Sequence, residues 1–438
     1  DCQILHPHRQ HNMYIQTNHT DNVPAGKTNH RVYTQHADQQ PGDEKGEVLG
    51  GTGDNHATRS DDHDQSKEAQ ESLVSLGRQV EVDSKVPRST NGGEAAMGDH
   101  LQEPRSAAYC LHAATASFRE AAAAWCEQRL GVTVDPEREV LLLVGSQEGT
   151  AHFPLTVLDP GDQALILDPS YPSHRGGLEL ADASIQTLPL TPERGWAPNF
   201  KAITASEWDQ LRLLMLGFPH NPTACVGQQS WLDEAMSQAQ HHDLVVAHDN
   251  PYLDLALEGE APSLLRCPHW RERGIEFFSL SKGWCLGGFR LAFAIGAEPL
   301  ITALRQIKSV IDFNQCQALQ QGAVVALSAH ADWPANLLPI YRERRDRTLA
   351  ALTGLGWSVP SPSMALYLWM PLPAWARAKG WGDEQMAAQL LEHCGVVLTP
   401  GSGFGKAGRD WLRLALVRPV DELEAAVERL TPWWQQQC

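Results

Sequence analysis

From about residue 105 the chain alternates between two hydrophobic patterns. One is the short continuous apolar run, bounded by Gly, Pro or Asp: Glu139–Val144, Ala164–Leu167, Leu211–Leu216, Leu244–Ala247, Phe277–Leu280 and Leu291–Ile295. Runs this short and this uniformly apolar suit strands buried on both faces. The other pattern places apolar and alanine positions at helical spacing, as over Ser117–Arg129. Strand-type runs separated by helical stretches predict an α/β fold with a mostly parallel sheet. Ligands of such sheets bind outside the carboxyl ends of the strands, so the polar residues after each run are the ones to inspect.

Farther along, a long helical pattern over about Ala335–Leu355 ends at Gly356-Trp357. An apolar strand at Ala365–Met370, a helix near Asp383–His393 and further strand-like pieces follow. They predict a smaller α+β lobe at the C-terminal end. Residues 1–72 read differently: they are rich in His, Gln, Asn, Asp and Gly, and no helical or strand period survives for more than a few positions. Such a segment cannot bury enough apolar surface to offset the entropy of ordering, and a disordered or atypical N-terminal extension is expected. The expected division is therefore 1–72 as extension, 73–104 as a divergent N-terminal part of the small domain, 105–330 as the large domain and 331–438 as the small one.

Composition narrows the classes. A formal net charge of −18 without a basic patch argues against nucleic acid and anionic membranes as partners. Nine cysteines, odd in number and widely spaced without a CxxC pair, suit reduced thiols better than disulfides or zinc. Eight of the 19 histidines lie in the first 72 residues, but irregularly and without a supporting cysteine or carboxylate cluster, so no metal site is read there. No apolar stretch approaches the roughly 18–20 residues of a membrane span. The start lacks a charged segment followed by an apolar run, so no secretory signal is expected. Together these lead us to expect a cytoplasmic protein.

The strand ends carry the chemistry. Gly145-Ser146-Gln147-Glu148-Gly149 after the first run has the small-residue turn that lets backbone N–H groups cradle an anion. Asp168-Pro169-Ser170-Tyr171-Pro172-Ser173-His174 offers an aromatic ring fixed by flanking prolines. Phe218-Pro219-His220-Asn221-Pro222-Thr223 reads as a turn, and Asp249 ends a buried strand, where a carboxylate needs a cationic partner. Ser279-Leu280-Ser281-Lys282 puts an amine at a strand end, and Gly287-Gly288-Phe289-Arg290 follows with a guanidinium suited to phosphate. Arg413 lies inside the apolar run Trp411–Leu416, a place for an arginine with an anion to meet.

Taken in this order, the set resembles the class I and II aminotransferases, enzymes of fold type I that depend on pyridoxal 5'-phosphate (PLP). Ser279-x-Ser281-Lys282 with Gly288-x-Arg290 is similar to the family's lysine signature, and Asn221-Pro222-Thr223 to its Asn-Pro-Thr turn. Asp249-x-x-Tyr252 resembles its pyridine-binding pair, and Thr399–Gly405 before Arg413 its small-domain motif. Tyr109–Glu120 also resembles the family, and the likeness runs from about residue 104 to 435. It implies a seven-stranded, mostly parallel sheet in the large domain. Within the family the C-terminal blocks look most like the diaminopimelate, alanine and aspartate aminotransferase branch.

The resemblance also implies roles. Lys282 would hold PLP as a Schiff base and move the proton, with Asp249 on the ring nitrogen and His174 behind that Asp. Asn221 and Tyr252 would bond the ring oxygen, and Tyr171 would stack on the ring. Ser146, Gln147, Ser279 and Arg290 would hold the phosphate, and Tyr109 would reach the phosphate of a neighbouring subunit in a homodimer with shared sites. Arg413, with Asn221, would take the substrate α-carboxylate. The expected reaction moves an amino group from an amino acid to a 2-oxo acid. A PLP-dependent C–S lyase on the same scaffold, or a catalytically impaired member, is the alternative. The segment that should line the substrate pocket from the N-terminal side is matched only faintly, by Ser75-Leu76-Gly77. No second arginine stands out for a side-chain carboxylate.

Overall fold

Seven strands form the main sheet: β1 Val140–Val144, β2 Gln163–Asp168, β3 Ser184–Pro189, β4 Leu211–Leu216, β5 Val245–Asp249, β6 Gly274–Ser279 and β7 Leu291–Gly296. This computed structural model describes residues 92–104, 106–110 and 114–437. Readings that fall on 1–72 and on Ser75–Gly77 lie outside the described residues. The described residues all belong to one compact unit, Val80–Cys438.

The strand order is β1-β7-β6-β5-β4-β2-β3. β2, β3, β4, β5 and β6 run parallel, and β7 alone is antiparallel to its neighbours β6 and β1. The mostly parallel seven-stranded sheet expected from the chain is therefore present. The buried runs explain it: Leu141, Leu142 and Leu143 of β1, and Phe277 and Phe278 of β6, are all nearly inaccessible. One cluster of apolar side chains fills each face of the sheet. Helix Ala116–Leu130 covers one face. Its Thr115 side chain caps it by accepting from Phe118 N–H, and Gly131 ends it at φ +73°.

Sequence reading missed β3. Its residues Ser184-Ile-Gln-Thr-Leu-Pro189 include only two large apolar side chains, and it sits at the sheet edge with its first four positions partly or fully open. The pattern sought was the uniform apolar run of a central strand, which an edge strand need not show.

A second, three-stranded sheet follows, ordered β8-β10-β9, with β8 Tyr367–Pro371, β9 Thr399–Pro400 and β10 Trp411–Ala415, all antiparallel. Helices Leu337–Gly354 and Val420–Gln437 pack together beside it. This matches the smaller α+β element pattern expected at the C-terminal end. Two contacts fasten this part to the large sheet: Asp168 at the end of β2 accepts from Ala407 N–H at 3.0 Å, and Ser170 N–H donates to the Phe404 carbonyl at 2.8 Å. Among the described residues no helix is long and apolar enough to cross a membrane.

One buried acid ties the middle strands together. Glu276 on β6 is fully buried. Its carboxylate accepts from His248 Nδ1 (2.9 Å), Asn250 Nδ2 (2.7 Å), Ser263 Oγ (2.7 Å) and Leu265 N–H (3.2 Å). His248 Nε2 in turn accepts from Phe218 N–H at 3.0 Å, so the ring proton sits on Nδ1. The network locks β5, β6 and the loop after β4, the three segments that present Asp249, Lys282 and Asn221. Replacing Glu276 by Ala leaves those donors unpaired in the core. Glu276→Ala should cost about 3–5 kcal/mol, read as a drop in the denaturant midpoint at unchanged slope. A loss under about 1 kcal/mol would show that water or neighbours re-satisfy the donors.

Candidate active site

The carboxyl ends of β1, β2, β4, β5 and β6 converge on a cavity of about 490 Å³. Eleven of the twelve residues singled out from the sequence line it: Ser146, Gln147, Tyr171, His174, Asn221, Asp249, Tyr252, Ser279, Lys282, Arg290 and Arg413. The twelfth, Tyr109, is 78% exposed and does not line it.

Asp249 is the best-defined group. It ends β5 and is buried, and its Oδ2 meets His174 Nε2 at 3.2 Å. His174 is buried as well, on helix Pro172–Leu180. The other oxygen, Oδ1, is buried and has no partner among the described residues. A buried carboxylate oxygen on the wall of a cavity calls for a cationic or N–H donor from a ligand.

The β1 turn and Arg290 form one end of the cavity. Gly145 has φ +78°, and a Cβ there would overlap the Arg290 guanidinium. Glycine thus serves two needs at once, the left-handed backbone and the close approach of Arg290. Arg290 itself is left-handed at φ 54° and is held by two bonds: its Nη1 donates to the Gly287 carbonyl at 3.1 Å, and its carbonyl accepts from Gln315 Nε2 at 2.6 Å. The Ser279 hydroxyl accepts from Ser281 N–H at 3.2 Å and so caps the short helix Leu280–Gly283 that carries Lys282.

At the other end, Arg413 on β10 donates from Nη1 to Asn221 Oδ1 at 2.7 Å. Its guanidinium lies over the Tyr367 ring at 4.5 Å and the Phe404 ring at 4.7 Å, and its buried Nε is unpartnered among the described residues. These contacts hold the guanidinium in place and leave donors for an anion. Tyr252 and Tyr367 meet hydroxyl to hydroxyl at 3.0 Å, both buried. Burial pushes the Tyr252 phenol well above its usual value, reinforced by Tyr367. Burial acts the same way on Tyr367, but Arg413, Lys282 and the bond from Tyr252 outweigh it and pull that phenol down.

Three groups escaped sequence reading. Tyr367 looked like one more apolar strand residue, though its place on β8 next to the arginine-bearing β10 puts it in the cavity. His220 also lines the cavity; burial, helped by His174, drives its imidazole down to about 3, so it stays neutral. Glu148, behind the β1 turn, accepts from Val144 N–H at 2.6 Å and from Lys308 Nζ at 3.1 Å, while Lys308 also reaches both Asp312 oxygens at 2.9 Å. The signal for this triad lay only in a lysine on an otherwise amphipathic helix, Glu298–Ile311.

The fold and site can now be set beside known proteins. Residues 87–430 match the family model described as aminotransferase class I and II. An LL-diaminopimelate aminotransferase from Dehalococcoides mccartyi is 38% identical over 320 residues, 73% of this chain and 81% of the relative. A solved structure of a probable N-succinyldiaminopimelate aminotransferase from Thermus thermophilus is 37% identical, with a TM-score of 0.74 over 84% of this chain and 99% of its own. The substrate-bound BacF structure from Bacillus subtilis is 28% identical, with a TM-score of 0.78 over 86% and 95%.

Glu148 supplies a pH test of the turn. Burial raises its carboxyl to about 7, against the opposing pull of Lys308. Its folded value lies above the unfolded value of about 4.3, so the stability it contributes is full below that value and is lost as pH rises toward 7. Glu148→Gln should flatten the fall in stability between about pH 4.3 and 7. Denaturant midpoints of both proteins across this range check it; parallel curves would rule out Glu148 as the source.

Proposed function

The chain belongs to the class I and II aminotransferases, and from that membership we propose that it moves an amino group from an amino acid to a 2-oxo acid with PLP held at Lys282. The single observation carrying the cofactor assignment is Asp249: a buried carboxylate with one oxygen fixed by His174 and the other unpartnered on the cavity wall. The protonated ring nitrogen of PLP is the donor that oxygen lacks. The Gly145 turn, too close to Arg290 for a Cβ, fits the phosphate end. The residues present therefore fit the group.

PLP bound there would supply the electron sink that makes the substrate α-proton removable. The protein does the rest. Asp249 keeps the ring nitrogen protonated, and His174 keeps Asp249 in register. Ser146, Gln147 and Arg290 bind the phosphate, with Ser279 acting through the helix it caps. Tyr171 covers the ring, and Tyr252 and Asn221 hold its oxygen. Lys282 Nζ, once displaced by the substrate amine, would be the base that takes the proton from the substrate α-carbon. Arg413 grips the α-carboxylate, oriented by Asn221 and the rings of Tyr367 and Phe404.

Cavity-lining cations among the described residues are Lys282, Arg290 and Arg413. With Arg290 on phosphate and Arg413 on the α-carboxylate, no arginine is left for a side-chain carboxylate. We favour diaminopimelate, named in the relatives, as donor; its distal carboxylate stands beside an ammonium, whereas the side-chain carboxylate of aspartate is a bare negative charge. The working form is a homodimer. Tyr109, Phe289, Val310, Ile311 and Phe313 are exposed apolar or aromatic residues, and Phe289 adjoins the cavity-lining Arg290. Asn314 Nδ2 ties this region to the Cys110 carbonyl, and Gln315 ties it to Arg290. That surface suits a second copy whose site Tyr109 completes. The large and small domains divide near residue 330.

The test is spectral and kinetic. Diaminopimelate, alanine, aspartate and glutamate are offered in turn with 2-oxoglutarate, and cofactor absorbance should fall on adding a true donor and return with the acceptor. Diaminopimelate should show the highest kcat/KM; aspartate as best donor would reverse the substrate assignment. Pyruvate and ammonia released without an acceptor would indicate a C–S lyase instead. Lys282→Ala should lower kcat by roughly 10²–10⁴-fold. Arg413→Lys, which keeps charge but loses the fork, should cost about 1.5–3 kcal/mol in kcat/KM.

A further inference from the structure

We propose that Glu148, braced by Lys308 and Asp312, is a positioning residue that ties anion binding at the β1 turn to a proton. The turn and Arg290 hold a dianion more tightly when Glu148 is protonated, and the arriving anion draws that proton in. The inference rests on the reading of the β1 turn and Arg290 as the phosphate end. Glu148 stands three residues after Gly145 and is buried. Its N–H donates to the Gly145 carbonyl at 3.1 Å, and its Oε2 accepts from Val144 N–H at 2.6 Å, so one residue fastens both sides of the turn. Lys308 Nζ, itself buried, reaches Oε2 at 3.1 Å and both Asp312 oxygens at 2.9 Å. Three residues past Asp312, Gln315 Nε2 holds the Arg290 carbonyl at 2.6 Å. The stretch 308–315 thus braces both the turn and the arginine that meets it.

The brace holds two acids and one cation. Lys308 gives two bonds to the partly exposed Asp312 and one to the buried Glu148, whose Oε1 has no hydrogen-bond partner among the described residues. His152 Nδ1 stands 3.8 Å from that oxygen, but burial lowers its imidazole, so it does not supply the missing charge. The other elements packed on helix Ser146–His152 do not supply it either. β1, β5, β6 and β7 present Leu143, Ala247, Phe277 and Ala292, while His248 and Glu276 pair with each other. Helix Pro172–Leu180 offers Gly177, with His174 turned to Asp249 and Arg175 and Glu179 exposed. Glu298 and Arg305, on the Lys308 helix, turn to Arg138 and the Glu137 carbonyl. Arg290 faces the turn from the cavity side. Of the two acids Glu148 is therefore the one to take a proton, in keeping with burial lifting its carboxyl to about 7. A dianion in front of the turn and a carboxylate behind it repel each other across a dry interior. Protonation removes that repulsion and leaves Oε2 free to accept from Val144 N–H. By linkage, an anion that binds better to the protonated form must also raise the proton affinity of Glu148.

The experiment uses the full-length chain without cofactor and inorganic sulfate as the probe, which stays a dianion across the range. Sulfate binding is measured by calorimetry between about pH 6 and 9 in buffers of different ionisation enthalpy, which reads both affinity and protons taken up. In wild type the affinity should fall roughly tenfold across this range, and binding just above neutral pH should draw in roughly half a proton per sulfate. Glu148→Gln should still bind sulfate but lose that uptake and most of the fall. Asp312→Asn, which removes a negative charge that raises Glu148, should move the uptake to lower pH. Uptake that is absent from wild type, or equal in wild type and Glu148→Gln, overturns the proposal. Should Glu148→Gln not fold, Asp312→Asn decides, and an unchanged uptake profile is then fatal. Arg290→Met separates the two readings. Sulfate binding that does not need Arg290, or no binding at all, defeats the anion-site reading and the proposal with it; binding that needs Arg290 but brings no proton defeats the proposal alone.

Discussion

A carboxylate held in a low-dielectric interior must be compensated, and Asp249 is compensated on one side only. His174 satisfies Oδ2, while Oδ1 is buried without a partner among the described residues on the cavity wall. Leaving a buried charged acceptor open costs free energy. The surrounding structure has to carry that cost, and much of the fold near the site reads as the means. β5 is central in the sheet, between β6 and β4, so the backbone under Asp249 cannot relax outward. The loop after β4 is pinned by His248, and the helix that bears His174 is held through Asp249 itself. A ligand with a protonated nitrogen would gain what the bare protein lacks, which is how an unfavourable feature becomes selectivity for a cofactor.

Glu276, one strand over, shows the opposite solution. It too is a buried acid, yet four donors saturate it. The two carboxylates are linked through adjacent residues of one strand, His248 and Asn250 serving Glu276 while Asp249 between them faces the cavity from the other side. The alternation of a strand makes this possible, because neighbouring side chains point to opposite faces. One face is fastened, the other left reactive. Glu148 with Lys308 and Asp312 repeats the arrangement behind the β1 turn: the acid is braced by a buried lysine and itself accepts from Val144 N–H at the end of β1.

These differences also explain what could be read from the chain. Residues whose chemistry is demanded by the ligand stood out, because Lys282, Asp249 and Arg413 are charged groups at the ends or middle of apolar runs, where burial without purpose is costly. Their order in the sequence matched a family, and the cavity gathers them. The central strands were legible for the same reason: β1, β4 and β7 are buried on both sides and nearly pure apolar runs. β3 was not, since an edge strand exposes half its residues and looks like a loop. The bracing groups were also silent. Glu276 sits next to Phe277-Phe278 and Glu148 inside a Gly-Ser turn, and neither shows its partners, among them Leu265 at 11 residues and Lys308 at 160. Tyr367 failed for a subtler reason: a tyrosine in an apolar strand is ordinarily core, and only the register of β8 against β10 places it under the arginine.

A single cavity can serve both a cofactor and a substrate when its two ends are built differently. The β1-turn end, proposed for phosphate, has one arginine held by a bond to the Gly287 carbonyl and by another from the Gln315 side chain. The Arg413 end is built from side chains that touch one another: Asn221 on Arg413, Arg413 on Tyr367, Tyr367 on Tyr252. Two members of that chain, Asn221 and Tyr252, are the same groups that would hold the ring oxygen of PLP. An anion arriving at Arg413 would share donors with Asn221, which the same arginine already holds. A fixed end would secure a cofactor, and a connected end would let substrate contacts bear on the cofactor's surroundings.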